Sequence, residues 1–82
     1  MMIKVLFFAQ TRELVGVDQI EVDSSYETAE QLRLHLVEKG GKWALALEAG
    51  KLLVAINQTL SPLDSPIQSG DEVAFFPPVT GG

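Results

Sequence analysis

Residues 3–9 read "IKVLFFA", a run of apolar, β-branched and aromatic side chains that predicts a buried strand of about seven residues. Lys4 sets the parity of this strand, because successive side chains of a strand point to opposite faces of a sheet. With Lys4 in water, the core face carries Ile3, Val5 and Phe7. Leu6 and Phe8 then lie on the opposite face, beside Lys4.

The sequence "DEVAFF" at residues 71–76 repeats this pattern in a last strand. With Glu72 in water, Val73 and Phe75 point inward, whereas Ala74 and Phe76 point outward. Both strands therefore end in a Phe-Phe pair that is divided between two faces. A shared outer patch of aromatic and aliphatic side chains is typical of a protein–protein contact. The alternative is that both strands are covered on both sides.

The segment between these strands begins with "QTRELVGVD" (10–18), which predicts a polar turn region, and "QIEVD" (19–23), which predicts a strand antiparallel to the first. Thr28 and Gln31 have the spacing of a capping box and predict the start of the main helix. The apolar stripe of that helix consists of Ala29, Leu32, Leu36 and Val37. Gly40 and Gly41 predict its end.

The second half of the chain continues with "KWALALEAG" (42–50), which predicts a short helix closed by Gly50. "KLLVAIN" predicts a strand, a turn follows at Asn57-Gln58, and "QTL" predicts a short return strand. The order of elements predicts a two-layer α+β domain, with a mixed sheet of about five strands and the main helix on one face. We expect one globular domain at 1–76 and an extended tail at 77–82.

Composition disfavours several classes of protein. The 82 residues carry a net charge of −5 and no basic run, which disfavours nucleic acid as a partner. The absence of cysteine excludes disulfides and thiolate metal sites, and a single histidine excludes sites that need two. No apolar stretch has the length of a signal peptide core or a membrane span, so we expect a cytoplasmic protein with no membrane partner.

The sequence ends in "PPVTGG", which predicts a stiff and slender tail. Pro77 and Pro78 lack amide hydrogens and hold the chain extended. Residues 77–82 can span about 20 Å, and Gly81 and Gly82 have no side chains to obstruct a narrow channel. This design indicates that the terminal carboxylate is the reacting group, activated as a mixed anhydride and attacked by an amine or a sulfur donor. Because no catalytic Ser, Thr and His spacing accompanies it, we expect a carrier rather than a complete enzyme.

Three stretches, "IKVLFFAQTRELVG", "WALALEAGKLLVAINQTL" and "GDEVAFFPPVTGG", resemble the small subunit of molybdopterin synthase, the sulfur carrier of molybdenum cofactor biosynthesis. The resemblance covers nearly the whole chain and implies a ubiquitin-like β-grasp fold. It implies that an adenylyltransferase similar to ubiquitin-activating enzymes consumes ATP to adenylate Gly82, and that a sulfur donor protein converts Gly82 to a thiocarboxylate (1-thioglycine). The chain itself is expected to bind no cofactor and no metal.

The resemblance also assigns expected contacts. The tail residues Pro77, Pro78, Val79, Thr80 and Gly81 would insert into the large subunit, in a heterotetramer of two small and two large subunits. Sulfur would then pass to a cyclic pyranopterin precursor and form the dithiolene. The expected hydrophobic contacts with the large subunit and the activating enzyme are Phe8, Leu60 and Phe76, with Leu6 beside them. Arg12 is interpreted as either a polar rim contact or a solvated loop charge.

Three other functions fit parts of the same sequence. A sulfur carrier of thiamine synthesis also resembles a β-grasp domain that ends in Gly-Gly. A protein modifier would instead join Gly82 to lysine side chains of other proteins. In a plain interaction module, Gly81 and Gly82 would have no role.

Overall fold

A computed structural model describes residues 2–23, 25–48 and 52–78 of the chain. Within these ranges the chain forms five strands and three helices. In chain order they are β1 (Met2–Phe7), α1 (Ala9–Val15), β2 (Gln19–Asp23), α2 (Ala29–Val37), α3 (Gly41–Ala46), β3 (Leu53–Ile56), β4 (Thr59–Ser61) and β5 (Glu72–Phe76). The predictions for Gly50 and for residues 79–82 lie outside the described residues.

The strands form one mixed sheet in the order β2-β1-β5-β3-β4. The first and last strands, β1 and β5, are parallel neighbours at its centre, and the other three pairs are antiparallel. Parallel neighbours need a long crossover, which here contains α1, α2 and α3. The predicted α+β class and the β-grasp architecture are therefore confirmed.

The core lies between the sheet and the helices. Ile3, Val5 and Phe7 are at most 1% exposed, as are Val73 and Phe75, so the strand parities predicted from Lys4 and Glu72 are correct. Helices α2 and α3 contribute Ala29, Leu32, Leu36 and Ala46 to the same cluster, and Leu47 joins it directly after α3. The rings of Phe7 and Trp43 form a T-shaped pair with 5.5 Å between their centroids, which connects β1 to α3.

Both side chains of the predicted capping box, Thr28 and Gln31, accept hydrogen bonds from backbone amides at the start of α2, but the bond to Gln31 comes from one residue earlier than expected. Thr28 Oγ1 accepts from the Gln31 amide at 3.2 Å, as in a capping box. The Gln31 side chain accepts from the amide of Glu27 at 2.8 Å, rather than from the amide of Thr28. The predicted stop is also present, because Gly40 adopts a left-handed φ of 72° and its amide bonds to the carbonyl of Val37.

Helix α1 contradicts the prediction of a polar turn at 10–18. The prediction of one main helix and one short helix is therefore one helix short of the three in the described residues. Its apolar stripe is short, because only Leu14 and Val15 pack against the core. Thr11 completes the stripe and is only 2% exposed, but a threonine in the sequence does not by itself predict a buried position. Gly16 ends the helix with φ 84° and donates its amide to the carbonyl of Arg12. β1 and β2 are thus antiparallel, but a helix joins them instead of a tight turn.

Arg33 connects α2 to the end of α3. Its guanidinium donates to both carboxylate oxygens of Glu30 at 2.7 Å, and Nη1 donates to the Leu47 carbonyl at 2.8 Å. The Arg33 side chain is only 7% exposed, so the arginine side of this hydrogen-bonded pair is largely shielded from water. The bonds from Arg33 hold the pKa of the Glu30 carboxyl below its ordinary value.

Candidate docking face and tail

The sheet has a second face, which α1, α2 and α3 do not cover. Its central row crosses four strands, because Leu6 lies opposite Ala74, Ala74 opposite Ala55, and Ala55 opposite Leu60. We define the open face by six of the apolar residues that the parity of the strands places there. They are Leu6, Phe8, Ala55, Leu60, Ala74 and Phe76.

The open face is concave rather than flat. Its concavity measures about 320 Å³ and is lined by Leu6, Phe8, Ala55, Gln58, Glu72, Ala74 and Phe76. The two alanines form a shallow floor among larger side chains, and Ala74 is only 8% exposed. Phe8 is 46% exposed, so part of a large aromatic ring remains in water. An apolar concavity with an exposed aromatic ring at its margin is suited to a protruding hydrophobic side chain of a partner.

Local structure explains the orientation of Phe8. The residue follows β1 with an extended backbone, φ −128° and ψ 159°, and it is the residue from which α1 begins. It therefore continues the strand alternation, whereas Phe7 points into the core. Its amide donates to the Phe75 carbonyl at 3.3 Å, so its backbone stays attached to β5.

The sequence-predicted contact residues do not all meet in one place. Leu6, Phe8 and Phe76 share the concavity. Leu60 belongs to the same face through its pairing with Ala55, on the edge strand β4, and is 66% exposed. Leu60 therefore extends the apolar row beyond the concavity.

Arg12 lies away from this concavity, on α1 and not on a loop as the sequence indicated. It is exposed and lines a separate, open depression of about 580 Å³ together with Asp18 and Gln19. Gln19 is the register partner of Leu6, which connects the depression to the margin of the open face. A role for Arg12 at the rim of a contact stays a prediction.

The start of the predicted tail is in the described part of the chain. Pro77 is half-buried and Pro78 is exposed, and both follow β5 without regular structure. Because Phe76 immediately precedes them, the tail leaves the sheet next to the open face. The predicted roles of Val79, Thr80, Gly81 and Gly82 concern residues outside the described ranges and stay predictions.

Chemical groups that could act on a substrate are sparse in the described ranges. No group of three or more His, Asp or Glu side chains within 2–23, 25–48 and 52–78 is arranged to hold a metal ion. His35 packs against Tyr26 on the outer side of α2, with 5.0 Å between the ring centroids and 38° between the ring planes. None of the helices described is long and apolar enough to cross a membrane.

Sequence reasoning missed three members of the concavity: Ala55, Gln58 and Glu72. Lys51 at the start of "KLLVAIN" has the same parity as Leu53 and Ala55, so a lysine in water would have placed both residues on the open face. Gln58 could have been assigned to the open face from Leu60, because the two residues are two positions apart and share the parity of the short return strand. Glu72 was assigned to water, and it is half-buried at the margin of the concavity.

Comparison with known proteins gives consistent matches. The sequence model of the ThiS family matches residues 5–82. The chain is 69% identical over 81 residues to the molybdopterin synthase sulfur carrier subunit of Haemophilus influenzae, covering 99% of this chain and 100% of that protein.

Solved structures extend the likeness to the fold. One is a complex of subunits 1 and 2 of molybdopterin-converting factor from Helicobacter pylori, with TM-score 0.68, 28% identity and 100% of both chains covered. Another is the small archaeal modifier protein 1 of Methanosarcina acetivorans, with TM-score 0.76, 26% identity, and coverage of 99% of this chain and 96% of that chain.

Proposed function

This chain belongs to the ThiS family, and we propose that within it the chain is the sulfur carrier subunit of a molybdopterin synthase, acting in the cytoplasm. The observation that carries the proposal is the 69% identity to the Haemophilus influenzae sulfur carrier subunit along 99% of the chain. The open face and the proline-led tail supply the two parts that such a carrier needs, a docking surface and a reactive end. The globular part at 1–76 and the tail at 77–82 are assigned to these two tasks.

The proposed chemistry takes place at Gly82. Its carboxylate attacks the α-phosphorus of ATP on an activating enzyme, and pyrophosphate leaves. The terminal sulfur of a persulfide on a donor protein then attacks the acyl carbon, and AMP leaves. A thiol next reduces the resulting acyl disulfide and forms a disulfide with the donor, so that a thiocarboxylate remains on Gly82. A thioacid ionises more readily than an alkyl thiol of pKa about 8.5, so the sulfur anion forms near neutral pH without a neighbouring base.

The proposed delivery step depends on the fold. The open face docks on the large subunit, in an assembly of two small and two large subunits, and the tail extends from Phe76 into that subunit. Pro77 and Pro78 reduce the number of conformations available to the free tail, which lowers the entropy lost on insertion. The thiocarboxylate sulfur then attacks a carbon of the pyranopterin precursor, and water cleaves the acyl carbon–sulfur bond, so that the sulfur stays on the precursor and Gly82 regains its carboxylate. The catalytic side chains come from the large subunit.

Intact-mass spectrometry tests the proposed modification. The chain is purified from cells with the activating enzyme and from cells without it. A mass increase equal to replacing one oxygen by sulfur, on the C-terminal peptide and only in the first sample, is the expected result. A variant that lacks Gly81 and Gly82 is the control and should carry no added sulfur. An unmodified native chain in both samples would contradict the proposal.

A protein-modifier function is the second candidate, favoured by the similarity to the small archaeal modifier protein 1 of Methanosarcina acetivorans. Denaturing immunoblots of cell extracts discriminate between the two functions. A carrier gives a single band, whereas a modifier gives heavier species with Gly82 linked to lysine side chains.

Deletion of the gene tests the thiamine alternative, because loss of molybdoenzyme activity without a thiamine requirement supports the molybdopterin assignment.

A further inference from the structure

The turn between β3 and β4 has an unusual residue in its second position. Ile56 and Thr59 pair across it, so that Asn57 and Gln58 form a two-residue loop. Their φ angles are 51° and 69°, which is the left-handed combination of a type I′ turn. Such turns strongly favour Asn-Gly, because a Cβ in the left-handed region is unfavourable. Glutamine at position 58 is therefore a poor residue for the backbone that it adopts.

Asn57 has an evident reason for its conformation. Its Oδ1 accepts from the Glu72 amide at 3.0 Å, and its Nδ2 donates to Asp71 at 3.0 Å. Its own amide donates to the Glu72 carbonyl at 2.8 Å. These bonds attach the turn to the start of β5 and offset the strain at Asn57. They leave the strain at Gln58 unexplained.

Gln58 has no comparable compensation among the residues that the structure describes. Its side chain is exposed and makes no hydrogen bond to any of them. It lines the open-face concavity, where Glu72 is the other polar residue among five apolar ones. Strained backbone that local contacts do not explain is common at binding sites, where the side chain is retained for an external partner.

We propose that Gln58 is a binding residue of the open face, and that its carboxamide hydrogen-bonds to a main-chain peptide group of the large subunit. A carboxamide offers both an N–H donor and a C=O acceptor, which matches the two groups of a peptide unit. An exposed polar side chain in the lining of a mostly apolar concavity corresponds to the polar rim of a protein interface. The inference rests on the proposed function, because that function supplies the large subunit as the partner.

The Gln58→Gly variant separates binding from folding. Glycine is the preferred residue at this turn position, so the variant should show a raised Tm. It removes the carboxamide, so the Kd for the purified large subunit should increase about 3- to 10-fold in isothermal titration calorimetry, as expected for one neutral hydrogen bond. Gln58→Ala keeps the backbone strain and should weaken binding to a similar extent without raising the Tm. Thr59→Ala, at an exposed neighbour on the other side of β4, is the matched control and should leave the Kd unchanged.

Three other results would contradict either the role of Gln58 or the proposed function. A Kd unchanged in Gln58→Gly, beside a Kd increased in Phe76→Ala, would overturn the role of Gln58 and leave the proposed function intact. A lowered Tm together with weaker binding would assign Gln58 a structural role and would also overturn the inference. Failure of the native chain itself to bind the large subunit would overturn the proposed function instead.

Discussion

The rings of Phe7 and Phe75 are stacked in the core, with 6.5 Å between their centroids and 22° between their planes. The two residues are register partners on the parallel strands β1 and β5. Because side chains alternate along each strand, the next residues, Phe8 and Phe76, point to the open face. Two Phe-Phe pairs thus supply one aromatic pair to the core and another to the proposed docking surface.

The first prediction concerns the pair Phe75 and Phe76. Phe75→Ala removes a fully buried ring and should lower the free energy of unfolding by about 3–5 kcal/mol. That is a large fraction of the roughly 4–12 kcal/mol expected for a chain of this length. Phe76→Ala should leave the chain folded and increase the Kd for the large subunit at least about 10-fold, as for an aromatic anchor. Urea unfolding, followed by Trp43 fluorescence, and calorimetry measure the two effects.

Trp43 is a suitable probe because it is the single tryptophan and its ring contacts Phe7 in the core. Loss of folding in Phe76→Ala would show that this ring belongs to the core, contrary to the assignment. Equal binding by Phe76→Ala and the native chain would remove Phe76 from the docking surface.

The second prediction compares two exposed leucines. Leu60 is 66% exposed on the open face, and Leu45 is 62% exposed on α3. Replacing either by alanine should change the free energy of unfolding by no more than about 0.5 kcal/mol, because little apolar surface is buried at either position. Only Leu60→Ala should increase the Kd for the large subunit, by several-fold. The same loss of affinity in both variants would argue against a contact confined to the open face.

The third prediction concerns the dependence of stability on pH through Glu30. Arg33 holds the folded-state pKa of Glu30 below the value of about 4.3 in the unfolded chain. The bond to Arg33 therefore stabilises the fold fully above about pH 4.3, and this contribution is lost as the pH falls through the lower folded-state pKa. Since Glu30 is 36% exposed and partly screened by water, Glu30→Gln should cost less than about 1 kcal/mol at pH 7.

Urea unfolding of the native chain and Glu30→Gln at several pH values measures this difference. The gap between their free energies of unfolding should be constant near neutral pH and should narrow in acid. A gap that widened below pH 4.3 would contradict the assigned direction of the pKa.

The fourth prediction concerns the start of α2. Thr28→Ala removes the oxygen that accepts from the Gln31 amide and should cost about 1 kcal/mol. For a domain of this size that corresponds to a decrease in Tm of about 4–8 °C. Thr28→Ser keeps the acceptor and should restore most of the loss. A Tm unchanged in Thr28→Ala would mean that the cap bond makes no net contribution to stability.

Sequence patterns predicted the parts of the fold that depend on local repetition. Alternation around Lys4 and Glu72 placed the core residues of β1 and β5, because each charged side chain stays in water and fixes the rest of its strand. Capping chemistry located the start of α2 in the same way. Helix α1 was not predicted, because one of its three inward residues, Thr11, is polar. Leu14 and Val15 alone do not show a helical period.

Sequence alone established the two-layer class, the division of each Phe-Phe pair between two faces, and the departure of Pro77-Pro78 from the sheet. The class follows from the order of the elements, and the other two follow from short-range rules that act within a single element. Tertiary structure alone decided that Leu6, Ala74, Ala55 and Leu60 form one continuous row, and that Gln58 lies at the margin of the concavity. The row depends on the register between strands distant in sequence, and that register is set by how the whole core packs against the helices.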